Sequence, residues 1–190
     1  KTDFAGNTAN NPLAAALAGN ALPANPTALS LYAPAMSDAC QKNYIIFISN
    51  GPTNENASAR AEGETLLTTA RGGSAPPVIA ISPNGQQPNW ADEYAKFMAE
   101  NDISGTLEGS QTAITYVVEV DPGSTGQAPD MTALAKSMAQ NGKGKYFAVT
   151  SGGTGQAIID ALNSIFQEIQ AVNSVFAAST LPVSVNVRGT

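Results

Sequence analysis

Residues 43–51 read N-Y-I-I-F-I-S-N-G, Asn43 to Gly51, a short apolar run rich in β-branched and aromatic side chains that stops at a polar turn. From Tyr44 to Ile48 the run does not alternate, which is what a strand needs when both of its faces are covered, as at the centre of a parallel sheet flanked by helices. The turn then lies at the carboxyl edge of the sheet. Open α/β sheets bind ligands and ions at that edge, so Ser49, Asn50, Gly51 and Thr53 are the first candidates for chemistry.

Outward from this strand, further strands are expected over residues 78–82, 113–120, 145–150 and 182–187. Helical windows fall at 55–70, 89–101, 129–140 and 155–178, and this alternation predicts an α/β domain with a mostly parallel central sheet. Asn89 reads as the cap of the second helix, with Asp92 and Glu93 in the first turn where acidic groups suit the helix dipole. Asn141-Gly142 ends the third. In the last window Ile158, Leu162, Ile165, Ile169, Val172 and Phe176 recur at steps of four and three, the stripe of a helix laid across the sheet, although a coiled-coil seam shares that spacing. Residues 1–42 are an irregular, Asn/Pro/Ala-rich approach with one short helical candidate at 12–18, opened by Asn11 and Pro12.

Composition narrows the function classes. The 190 residues suit one domain, and 43% hydrophobic content agrees with a globular core. Charged residues make up only 13%, leaving a surface of Asn, Gln, Ser, Thr and Gly of the kind found on exported proteins. A net charge of −6 with nine Lys and Arg leaves no basic patch for nucleic acid. There is no histidine, which removes Ser-His-Asp and Cys-His catalysis and the commonest zinc ligand. Cys40 stands alone, so it is a small buried thiol or pairs outside the chain, and a reactive thiol is the lesser alternative. No apolar run reaches the ~18 residues of a membrane span. Lys1 reads as an internal start, without a signal peptide.

Four constellations could carry chemistry, each with a plainer reading. Ser49-Asn50-Gly51, with Thr53, Asn54, Glu55 and Asn56, offers oxygen ligands for a hard cation such as Mg²⁺, or simply a turn and a helix cap. Asp102-Ile103-Ser104-Gly105-Thr106 matches the D-x-S-x-[S/T] string of a metal-dependent adhesion site, but no apolar strand precedes it. Ser151-Gly152-Gly153-Thr154-Gly155 could cradle phosphate; as a dinucleotide fingerprint it puts Ile158 in the third glycine slot. Asp121-Pro122-Gly123-Ser124-Thr125-Gly126 with Asp130 brings two carboxylates to a glycine loop without the calcium-loop pattern.

Several stretches together resemble one family. C-Q-K-N-Y-I-I-F-I-S-N-G-P (40–52), N-W-A-D-E-Y-A-K-F (89–97), I-T-Y-V-V-E-V (114–120), G-K-Y-F (144–147) and A-L-N-S-I-F-Q-E-I-Q-A-V-N-S-V-F-A-A-S (161–179) are similar to the von Willebrand factor A-like domain of the PilC/PilY type IV pilus tip proteins. The resemblance implies a three-layer, Rossmann-like A-type domain over residues 43–179, preceded by the irregular 1–42 and followed by a β segment at 180–190. It also implies a non-catalytic, secreted protein that passes through the periplasm to the bacterial surface, where it supports pilus assembly and adhesion at the pilus tip. The implied partners are minor pilins or other tip subunits, a host or abiotic surface, and the rest of the same polypeptide, with no nucleic acid and no membrane span. Calcium is not expected, because the family's calcium sites lie in a β-propeller outside this chain.

In a metal-binding A domain the turn matching Ser49-Asn50-Gly51 carries T-D-G, and a D-x-S-x-S strand precedes it. Here Asn50 replaces the Asp and nothing in 1–42 matches the strand, so Ser49 and Asn50 form a degenerate site that holds Mg²⁺ only if ligands upstream of Lys1 complete it. Without that strand, Tyr44 to Ile48 is expected to be an exposed apolar edge. The alternatives are a nucleotide-binding α/β enzyme domain using the Gly152 to Gly155 loop and a purely structural spacer.

Overall fold

In the computed structural model of the chain, the fold is built on β2 (Ala113–Val120), whose residues from Thr115 to Val120 are all buried. Residues 36–51, 57–123, 129–150 and 155–179 are described, with side chains as far as Ala171. Around β2 stand β1 (Asn43–Ser49), α1 (Ala57–Ala70), α2 (Ala91–Glu100), α3 (Pro129–Asn141), β3 (Lys143–Val149) and α4 (Gln156–Ser179). The strands form one parallel sheet in the order β1-β2-β3, with helices on both faces, an α/β arrangement compatible with a Rossmann-like fold. By internal contacts, residues 36–43 with 102–111 make one compact unit and 44–101 with 112–179 make another.

Alternation along β2 sorts the core into two layers, because successive strand side chains point to opposite faces. Val117 packs with Ala95 of α2 and Met131, Leu134, Ala135 and Met138 of α3. Tyr116, Val118 and Val120 pack with Val149 and with Ala161 and Ile165 of α4. The two strands pair in register at Val117↔Tyr146 through Val120↔Val149, with an irregularity between Thr115 and Val117. Glycine is required there: a Cβ on Gly144 would lie 2.1 Å from the Thr115 carbonyl oxygen.

The central position belongs to 113–120, and 44–48 lies at the edge of the described sheet, where it was expected in the absence of an upstream strand. β1 is terminal in the described sheet, none of its residues is buried, and Ile48 is 48% exposed. Its side chains are nonetheless partly covered above and below, Tyr44 and Ile46 against the α4 layer and Phe47 against the α2–α3 layer. An unalternated apolar run reports covered faces and carries no information about lateral neighbours.

Two other expectations change. Residues 78–82 form no strand, because the ladder groups of Ile79 are taken by side chains: its amide donates to Glu93 Oε1 at 2.7 Å, and its carbonyl accepts from the Gln87 amide. Flanking Pro76, Pro77 and Pro83 supply no amide donors of their own. The cap of α2 is Trp90, in the left-handed region at φ 69° and without a side-chain cap bond, rather than Asn89. Trp90 is buried beside α1, where a Cβ on Gly63 would meet its ring at 3.5 Å, an ordinary contact distance.

On α4 the buried face runs through Ala161 and Ile165, flanked by Ala157, Ile158 and Ile169, while Leu162 is half-buried to one side. The Lys145–Glu168 ion pair, 2.6 Å, ties the helix to β3. The side chains of Val172 and Phe176 lie outside the described residues, as do the candidates at 12–18 and 182–187.

Candidate functional site

At the end of β1 the Ser49-Asn50-Gly51 turn is closed by its own serine. Ser49 Oγ donates to the Gly51 carbonyl at 2.8 Å and accepts the Gly51 amide at 3.3 Å. A hydroxyl engaged twice in its turn and one neutral amide do not make a hard-cation site, which needs several oxygens and usually a carboxylate. Thr53, Asn54, Glu55 and Asn56 lie outside the described residues. Among the described residues, no group of three or more His, Cys, Asp or Glu could hold a metal.

The D-x-S-x-T string is spent on folding a loop. Asp102 Oδ1 accepts the amides of Ser104 at 3.0 Å and Gln111 at 3.1 Å, and Ser104 Oγ accepts that of Leu107 at 3.1 Å. Gln111, 2% exposed, closes the loop by donating to the carbonyls of Glu108 at 2.8 Å and Ala39 at 3.2 Å. These are the local side-chain-to-backbone bonds that short polar residues make in turns. They leave Asp102 and Ser104 off any strand end.

The carboxyl edge of β2 carries more. After Val120 the chain turns through Asp121, at φ 53°, whose amide donates to the Val149 carbonyl at 2.7 Å. Beside this turn is an open cavity of about 440 Å³ bordered by Ser82, Pro83, Pro122, Gly123, Thr132 and Lys136. Behind it Glu119, 1% exposed on the central strand, is satisfied by two hydroxyls: Thr132 Oγ1 donates to Oε1 at 2.8 Å, and Tyr146 donates to Oε2 at 2.6 Å. Burial first, and the adjoining Glu119 carboxyl second, raise the Tyr146 hydroxyl above its ordinary range. Lys136 lies over the Tyr146 ring, 5.5 Å from its centre. This group was missed at the level of sequence. Its one signal is a single acid in the apolar run I-T-Y-V-V-E-V, which a half-exposed strand would also show.

The other polar cluster joins α2 to its neighbours. Asp92, 3% exposed, accepts the Ser137 hydroxyl of α3 at 2.5 Å, and Glu93, 6% exposed, accepts the Ile79 amide. These acids stand in the first turn of α2, as expected of dipole partners, and the structure buries both. Burial, then the neighbouring Asp92 carboxyl, push Glu93 up to about 7. Neither cluster places a nucleophile beside a base with access to solvent.

Of the remaining candidates, Asp130 accepts from the Gln86 amide at 3.2 Å, and 124–128 and 151–154 lie outside the described residues. Cys40 is exposed and forms no disulfide among the described residues, which contradicts the buried-thiol alternative and agrees with the other, a thiol that pairs outside the chain. No helix among the described residues is long and apolar enough to cross a membrane. Comparison with protein-family models, curated proteins and solved structures finds no match to the chain.

Proposed function

We propose that this chain is the von Willebrand factor A-like segment of a PilC/PilY-type pilus tip protein, acting without catalysis in pilus assembly and surface adhesion. One observation carries the reading: the stretches that bear the resemblance are the framework of the sheet. Residues 40–52 contain β1, 89–97 cover most of α2, 114–120 make up β2 almost entirely, 144–147 lie in β3 and 161–179 form most of α4.

The chemistry agrees with a binding role. Asn50 stands where an A-type ion site needs a carboxylate, Ser49 is turned into its own loop, and Asp102 and Ser104 staple another loop. On this reading the domain is held at the bacterial surface and works through its faces and edges, with minor pilins and a host or abiotic surface as partners. The test is an in-frame deletion of residues 43–179 in the encoding bacterium, scored for surface pili and attachment. Loss of both with a stable truncated product is expected; full piliation and attachment would overturn the assignment.

A further inference from the structure

Glu93 and Asp92 are adjacent buried carboxyls, and neither has a cation partner among the described residues. Glu93 Oε1 takes the Ile79 amide at 2.7 Å, while Oε2, equally shielded, has no hydrogen-bond partner. Glu93 also borders a cavity of about 40 Å³ walled by Leu67, Pro76, Pro77, Ile79 and Phe97. The charged groups that share this cavity are Lys96 and Glu100 on α2, paired with each other at 2.7 Å, and Arg71 just beyond α1. Residues 76–79 bring no ionisable group, and α3 presents the Ser137 hydroxyl to Asp92.

Two charges in this setting are costly, because burial disfavours each and they repel one another. One proton on Glu93 removes the conflict. We propose that Glu93 is a proton-operated latch: protonated, its carboxyl stays buried against the segment 76–89, and ionised, the cost of keeping that charge away from water lets the segment lift. The same segment supplies Ser82 and Pro83 to the carboxyl-edge cavity, so release of the latch changes access to that cavity.

The direction follows from linkage. The Ile79 amide favours the ionised form, but burial and Asp92 outweigh it, and Glu93 keeps its proton up to about 7 instead of 4.5. Its contribution to holding the segment is complete below the unfolded value of 4.5 and is lost as pH rises through about 7.

Amide hydrogen exchange over residues 76–90, corrected for the intrinsic pH dependence of exchange, tests the latch on the full chain. Between about pH 5.5 and about pH 8, protection of Ile79 and its neighbours is expected to fall roughly 10- to 100-fold. Glu93→Gln keeps the acceptor and removes the charge, so its protection should not change across the range. Asp92→Asn, a second variant in case the first does not fold, removes the neighbouring carboxyl that helps to raise Glu93, so its midpoint should move down. Protection independent of pH in the unmodified chain, or a pH dependence in Glu93→Gln equal to that of the unmodified chain, would overturn the proposal.

Discussion

Gly144 is where a single methyl group matters most. A Cβ at this position would meet the backbone of β2 at 2.1 Å, and a carbonyl oxygen cannot move aside as the end of a flexible side chain can. Gly144→Ala should therefore cost about 3 kcal/mol or more, measured by urea unfolding. Tyr146→Phe is a gentler probe: it strips Glu119 Oε2 of its 2.6 Å donor inside the core. Leaving a buried acceptor unmade costs about 1–3 kcal/mol, and the same unfolding curves should show that loss. At this scale the sequence was least informative. Serine, asparagine and glycine at 49–51 read as ligands or as turn makers, and their hydrogen bonds separate the two, whereas at 102–106 the lack of a preceding strand already argued against an ion site. Asp92 and Glu93 were placed in the right turn of α2, but their burial was not legible, since the dipole argument is indifferent to which face an acid occupies.

At the level of elements, legibility followed the strength of the periodic signal. The strand at 113–120 and the helices at 129–141 and 156–179 stand within a residue or so of expectation, because turn residues bound each of them clearly. Residues 78–82 were misjudged because a four-residue apolar run, Val78 to Ile81, does not reveal that Ile79 gives its backbone groups to Glu93 and Gln87. On α4 the steps of three and four were right, but Ala161 rather than Leu162 meets the sheet, where close approach of a helix favours a small side chain. The face can be tested by contrast. Ile165, fully buried, should not tolerate Ile165→Asp, which would bury an unpaired charge at a cost of several kcal/mol, roughly enough to unfold a marginal domain. Phe166 is 47% exposed one residue further on, and Phe166→Asp should stay within about 0.5–1 kcal/mol in the same thermal melts.

For the molecule as a whole, the parallel sheet and its two helical layers were readable from the alternation of elements, whereas the order of strands was not. β1 came out at the side of the described sheet, with an apolar run that carries neither charge nor proline from Tyr44 to Ile48. Such edges pair with other strands unless something blunts them. The isolated chain should associate with rising concentration in sedimentation velocity, and Ile48→Lys, at an exposed position, should lower that association with little change in melting temperature. A monodisperse monomer at every concentration would mean that the edge is already covered within the 190 residues. The proposed role depends on where the protein stands on the cell, and that is what should be measured. Antibody raised against this chain, applied with gold particles to intact cells of the encoding bacterium, is predicted to label the free ends of surface pili; label confined to the cytoplasm, or pili left bare while the protein is present, would contradict it.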